Sequence, residues 1–179
     1  AHPVNCLTLG AARADCQALG GDLPTEAQYE YVARGRRSDP YVWGSDTPAC
    51  GDAVFGRGGF GLFASHQGVC NPEPPGGAMP VGSGRRDRLS LPGGEIVDIV
   101  ANVSEYCRDS YQPVTGPFWS RPTLFENPLC EDASGPGLPV GRGGHWIASF
   151  VAPVSEWRSN AGSLSSVSPN GGFRCVWPG

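Results

Sequence analysis

Residues 23–35 read LPTEAQYEYVARG and carry the signals of a short capped helix. Thr25 is placed to accept hydrogen bonds from the free amides of a first helical turn, and Gln28, three residues later, completes a capping box. Gly35 ends the pattern, because glycine adopts the left-handed conformation that commonly follows a helix. The stretch predicts a helix that starts after Thr25 and stops before Gly35.

Outside this stretch the sequence predicts few regular elements. A further helix is expected at 11–19, where helix-favouring residues precede two glycines. Strands are expected at 96–100, 145–151 and 173–177, which are rich in Ile, Val, Phe and Trp and are bounded by Gly, Pro or Ser. Glycine and proline punctuate residues 41–94 without a sustained helical period. These patterns indicate an irregular, loop-rich fold.

The composition bounds the class of protein. A chain of 179 residues is the size of one domain, and 39% hydrophobic residues is too many for a disordered chain despite 27 glycines and 18 prolines. A net charge of −4 argues against nucleic-acid binding, which needs a basic face. The one dense basic run, at 85–88, contains Asp87 and is interpreted as a solvated loop. No apolar run approaches the roughly 18 residues of a membrane span.

Seven cysteines are spread over the chain, at positions 6, 16, 50, 70, 107, 130 and 175. They form no Cys-x-x-Cys pair, so a zinc site is not expected. In a loop-rich chain, widely spaced cysteines indicate disulfides and therefore an extracellular or periplasmic location, with the cell surface included. The odd count leaves one cysteine over, and spacing alone does not decide the pairing.

Short blocks follow one another in a recognisable order along nearly the whole chain. They are PVNC (3–6), LPTEAQYEYVARG (23–35), YVWG (41–44), PVGS (80–83), ANVSEY (101–106), RGGHW (142–146), RS (158–159) and GGFRC (171–175). This series resembles the formylglycine-generating enzyme family. The resemblance implies the sulfatase-modifying-factor variant of the C-type lectin-like fold, an α+β domain with few helices, small antiparallel sheets and long loops.

The resemblance also bears on domain organisation. Residues 1–179 are interpreted as a single domain of this type. Members of the family usually carry further strands before the PVNC block, so the domain is expected to lack them. A cleaved segment or a separate chain would then supply those strands, or the sheet is closed differently.

The resemblance implies that the family's oxidation chemistry has been lost. Formylglycine-generating members hold copper with two cysteine thiolates that follow the Arg-Gly-Gly block, and thiolates suit Cu(I) because both are soft. The matching positions fall near Ala148 and within 150–153, and residues 143–172 contain no cysteine. An iron-binding histidine triad is not expected from three scattered histidines. His145, Trp146 and Arg158 are expected to lie in the family's cleft.

The resemblance implies one of the disulfide pairings. Cys16 and Cys175 match a pair that is bridged in related proteins, and a bond closing a loop of about 160 residues would stabilise the fold by roughly 4–5 kcal/mol. The other cysteines are expected to pair locally, as Cys50 with Cys70 and Cys107 with Cys130. Cys6 would then be buried or free.

Calcium is the cofactor that the resemblance implies. Residues 98–105 match a calcium loop of the family, and carboxylates with backbone carbonyls are the hard oxygen ligands that calcium prefers. The ligands of this site would be the side chains of Asp98 and Glu105 and the carbonyls of Ala101 and Val103. A second site would take Asp52 and the carbonyl of Ala53, with Asn71 or Glu73 opposite. A solvated acidic loop is the alternative interpretation.

Two classes of function remain open. In the adopted prediction, the protein is a secreted or cell-surface, calcium-stabilised binding or structural module without the copper-dependent activity. Its loops would bind a protein or glycan partner, or further copies of the chain. Aromatic loop residues are the candidate contacts: Phe60, Phe63, Phe118 and Trp119. The alternative is an oxidoreductase of the same family with altered metal chemistry around His145, Glu156 and Arg158.

Overall fold

The structure is a computed structural model that describes residues 1–35, 37–58, 70, 76–122, 126–131, 137–151, 158–161 and 165–178. Two helices and six short strands are found in this part of the chain, joined by long irregular segments. The elements are α1 (Leu9–Ala18), α2 (Glu26–Ala33), β1 (Arg88–Leu91), β2 (Gly94–Val97), β3 (Ser104–Ser110), β4 (Pro139–Arg142), β5 (Arg158–Asn160) and β6 (Gly171–Gly172).

The capping box that the sequence predicts for α2 is present. The hydroxyl of Thr25 accepts from the Gln28 amide at 3.2 Å, and the Gln28 side chain accepts from the Thr25 amide at 2.8 Å. Gly35 follows the helix with a φ of 61°. α1 starts two residues earlier than predicted because Thr8 caps it, accepting from the Ala11 amide.

The strands form two small sheets. β1 and β2 make an antiparallel hairpin, in which Leu91 lies opposite Gly94. The second sheet has the order β5-β4-β3-β6, with antiparallel pairs except for β3 with β6. Few helices, small and mainly antiparallel sheets, and long loops agree with the α+β, C-type lectin-like fold that the resemblance implies.

Strands were the less predictable elements. Of the expected strand 96–100, only the part up to Val97 is extended, because the chain turns at Asp98 with a φ of 53°. Residues 145–151 form a turn and irregular chain instead of a strand, and within 173–177 only Val176 pairs, with Asp22. The sequence interpretation also missed β3 and β4, which form the centre of the larger sheet.

Buried side chains form a main cluster between α2, the loops after it and the larger sheet, including Tyr29, Phe55, Ile99 and Val140. A second cluster packs α1 against Tyr106 through Ala12 and Cys16. The described part of the chain offers no apolar helix of bilayer-spanning length.

Two of the expected disulfides are present. Cys16 is bonded to Cys175, 159 residues later, and this bond ties α1 to the last described segment. Cys50 is bonded to Cys70 within the loop region. Backbone hydrogen bonds between Asp22 and Val176 reinforce the first connection.

The expected bond between Cys107 and Cys130 is not formed. Cys107 is a buried thiol in β3. The Cys130 amide donates to the Asp109 side chain and the Cys130 carbonyl oxygen accepts from the Ser110 amide, so Cys130 lies beside the end of β3, two to three residues beyond Cys107. A disulfide needs Cα atoms about 4–7 Å apart. Cys6 is an exposed thiol, so the expectation that it is free holds and the expectation that it is buried does not.

Candidate functional site

A buried carboxylate, Asp87, organises the turn between β2 and β3. Its Oδ1 accepts from the amides of Ile99 and Val100 at 2.9 and 2.8 Å, and its Oδ2 accepts from the amide of Ala101 at 3.1 Å. Burial raises the pKa of Asp87 to about 7, although these three donors act to lower it. The interpretation of residues 85–88 as a solvated loop therefore fails at Asp87, which is fully buried.

Asp98, the first expected calcium ligand, lies at the start of this turn. It is 7% exposed, and its Oδ2 accepts from the Gly82 amide at 2.9 Å and from the Asn102 side chain at 3.3 Å. Its Oδ1 is buried and meets no hydrogen-bond donor among the described residues. An orphaned, buried carboxylate oxygen is the kind of atom that a cation would satisfy.

Glu105, the other expected carboxylate ligand, is already neutralised. Arg174 donates to both of its carboxylate oxygens, from Nε and from Nη2, and the second bond is 2.7 Å long. The same Nη2 lies 3.0 Å from the carbonyl oxygen of Asp98. Burial raises the pKa of Glu105, and the adjacent guanidinium opposes this rise. The sequence interpretation did not identify Arg174 as the partner of Glu105, although Arg174 lies in the GGFRC block.

The fit to calcium is therefore partial. The turn brings Asp98, Ala101, Val103 and Glu105 into one segment, all of them buried. No donor among the described residues bonds to the carbonyl oxygens of Ala101 and Val103. The Asp98 carboxylate and these carbonyls suit a hard cation, whereas the Glu105 carboxylate is occupied by Arg174.

For the second expected calcium site, the structure describes only the residues Asp52 and Ala53. Asp52 is buried, accepts from the Ala49 amide at 3.0 Å and has Arg85 and Arg86 within 4 Å. Ala53, beside it, is buried. Asn71 and Glu73 fall outside the described residues, as do Phe60, Phe63 and Glu156.

A cleft of about 230 Å³ opens between β3, β4, β5 and the loop before β6. His145 lines it. Trp146 does not, because it packs beside Val54 and Ile147 and donates to the carbonyl oxygen of Pro169 at 3.2 Å. These two neighbours therefore have different environments.

Arg158 is also absent from this cleft. Side chains alternate along a strand, so Ser159 lines the cleft while Arg158 lines a separate groove beside α2. There Arg158 forms a two-pronged ion pair with Glu26 and lies 5.8 Å from the centre of the Trp119 ring. Trp119 forms an edge-to-face pair with Phe118 at 4.7 Å.

The groove beside α2 has a volume of about 370 Å³ and was not foreseen from the sequence. It is lined by charged, aromatic and aliphatic residues: Glu26, Ala27, Glu30, Tyr31, Arg34, Arg37, Val114, Trp119, Arg142 and Arg158. The four-residue spacing of Glu26 and Glu30 on α2 and of Arg34 at its C-cap was the available signal, because residues at this spacing share one helix face.

Solved structures with a similar fold are PvdO from Pseudomonas aeruginosa and CarF. PvdO matches with a TM-score of 0.64 and 18% identity, over 96% of this chain and 60% of PvdO. CarF matches with a TM-score of 0.59 and 16% identity, over 99% of this chain and 67% of CarF. Both likenesses concern the fold alone.

Sequence relatives carry a more specific description. The formylglycine-generating enzyme of Streptomyces coelicolor is 29% identical over 184 aligned residues, which cover 98% of this chain and 52% of the relative. That of Mycobacterium tuberculosis is 30% identical over 112 residues, or 63% of this chain and 35% of the relative. The chain thus spans about half the length of the first relative. Residues 1–178 match the sulfatase-modifying factor enzyme 1-like domain, and the chain belongs to that family.

Proposed function

We propose that this chain is a non-catalytic member of the family that binds a protein or glycan partner. The observation that carries the proposal is the lack of any cysteine between Cys130 and Cys175, where the family's copper-binding thiolates are expected. Ala148, near the first such position, is buried and has no metal-binding side chain. Cys107 is no substitute, because burial raises the pKa of its thiol and disfavours the thiolate that copper needs.

The proposed location is extracellular or periplasmic. Two disulfides support it, since such bonds persist in oxidising compartments. The partner would be another protein, a glycan, a further copy of the chain or a chain that supplies the family's upstream strands.

The purified chain is expected to bind no stoichiometric copper or iron and to leave a cysteine-containing peptide unconverted to the formylglycine product. Metal analysis and mass spectrometry of the peptide measure both outcomes, with the Streptomyces coelicolor relative as the positive control. Stoichiometric copper or iron that disappears in a His145→Ala variant, or conversion of the peptide, would contradict the proposal. Either result would favour the alternative, an oxidoreductase centred on His145.

We also propose that calcium stabilises the turn at 98–103. Asp98 would supply the carboxylate ligand through its orphaned Oδ1, and Ala101 and Val103 would supply carbonyl oxygens. Glu105 is left out of this ligand set, because Arg174 occupies its carboxylate. The buried ion pair instead holds the start of β3 against the GGFRC segment.

Removing calcium is expected to lower the melting temperature by about 5–10 °C. A ligand present at about 100 times its dissociation constant contributes about 2.7 kcal/mol, and each kcal/mol is worth about 2–4 °C at this chain length. Differential scanning calorimetry with calcium and with a chelator measures the shift. Asp98→Asn should abolish the calcium response, whereas the exposed control Asp46→Asn should retain it. A response of undiminished size in Asp98→Asn would refute this ligand assignment.

A further inference from the structure

We propose that the groove beside α2 binds an acidic peptide segment that also carries apolar side chains. The inference deepens the proposed function, because it rests on the chain being a binding module and names the chemistry of its partner. The groove is separate from the His145 cleft, since no described residue lines both.

The floor of the groove is a series of ion pairs in which arginine and glutamate side chains alternate. Arg158 pairs with Glu26, and Arg142 lies between Glu26 at 3.6 Å and Glu30 at 2.8 Å. The Arg142 side chain is only 1% exposed and that of Arg158 is 10% exposed. Arg34 extends this series of ion pairs, because its Nε donates to the Glu30 carboxylate at 3.1 Å. The ion pairs hold the groove in a fixed shape before any ligand arrives.

Positive charge is in excess in this groove. The described residues that line it include four guanidinium groups and two carboxylates, a net charge of +2 for these residues in a chain whose net charge is −4. Arg34 uses only Nε for Glu30, so its terminal nitrogens remain available, and Arg37 is exposed without an ion pair among the described residues. Guanidinium groups bind carboxylates through paired hydrogen bonds. The charge therefore favours an acidic ligand.

Apolar side chains at the groove favour a peptide over a sugar. Tyr31 is 60% exposed and Val114 is 71% exposed, and the half-buried Trp119 lies between the charged floor and the Phe118 ring. Val114 gives a sugar ring little to stack on and packs well against an apolar side chain, whereas Tyr31 and Trp119 suit either kind of ligand, so the choice of a peptide rests on Val114 and on the charge of the groove. The volume of about 370 Å³ lies within the range of ligand pockets.

Fluorescence anisotropy with a labelled peptide of alternating Glu and Leu tests the inference on the full chain. The wild-type chain should bind this peptide at least about tenfold more tightly than the matching Gln and Leu peptide, and added salt should weaken the binding. Arg37→Ala should weaken it about tenfold. The matched control Arg85→Ala, an exposed arginine outside the groove, should change it less than about twofold.

Equal binding of the Glu and Gln peptides, or unchanged binding in Arg37→Ala, would overturn the inference. So would tighter binding of a heparin-derived oligosaccharide with the same dependence on Arg37, because the partner would then be a glycan. Self-association that Arg37→Ala abolishes, measured by light scattering, would assign the groove to a second copy instead. None of these outcomes bears on catalysis, which the metal and peptide-oxidation measurements decide separately.

Discussion

The Asp87→Ala variant is expected to lose about 5 kcal/mol of unfolding free energy, because three buried amides lose their acceptor at about 1–3 kcal/mol each. These amides belong to Ile99, Val100 and Ala101, each 1% exposed, so water cannot replace the carboxylate without opening the core. A domain at the lower end of the typical stability range, about 5 kcal/mol, would then be largely unfolded. Urea denaturation with the disulfides intact should show a midpoint lower by about 2 M or more.

Comparing the stabilities of several variants tests whether the Asp87 carboxylate itself supports the turn. Asp87→Asn keeps one acceptor oxygen for Ile99 and Val100 but turns an amide nitrogen toward Ala101, so its loss should fall between those of wild type and Asp87→Ala. The exposed control Asp46→Ala, which breaks only a surface ion pair with Arg86, should cost less than about 1 kcal/mol. Equal stability of wild type and Asp87→Ala would show that the carboxylate does not support the turn.

Local signals in the sequence were sufficient for the helices. The capping box of α2 involves residues three positions apart, so Thr25 and Gln28 identify it without knowledge of the rest of the fold. The bond between Cys16 and Cys175 is the opposite case, since 159 residues separate its ends. Resemblance to a family predicted that bond, whereas cysteine spacing alone left the pairing open.

The remaining features depend on contacts that no local pattern contains. In the sequence, Asp87 has the pattern of a charged loop. Only folding places its carboxylate within hydrogen-bonding distance of backbone amides 12 to 14 residues later. β4 contains proline and glycine, yet it is fully buried between β3 and β5 because tertiary packing overrides strand propensity. Ser159 and Arg158 line separate pockets because a one-residue step along β5 reverses the side-chain direction.

The double variant Cys16→Ala/Cys175→Ala is expected to lose about 5 kcal/mol, because the bond closes a loop of 159 residues and removes much of the freedom of the unfolded chain. Alanine is the appropriate replacement, since Cys16 is fully buried beside Ala12 and Leu23 and a polar substitute would add a desolvation cost. Equilibrium unfolding under non-reducing conditions measures the loss.

The matched control is Cys50→Ala/Cys70→Ala, whose bond spans only 20 residues. The same entropic argument assigns this shorter loop about 3 kcal/mol, so the two double variants should differ by about 2 kcal/mol with the longer loop costing more. The ordering tests the mechanism as well as the size of the effect. If loss of the short loop costs as much as loss of the long one, chain entropy is not the main contribution, and packing around each bond must account for the stability instead.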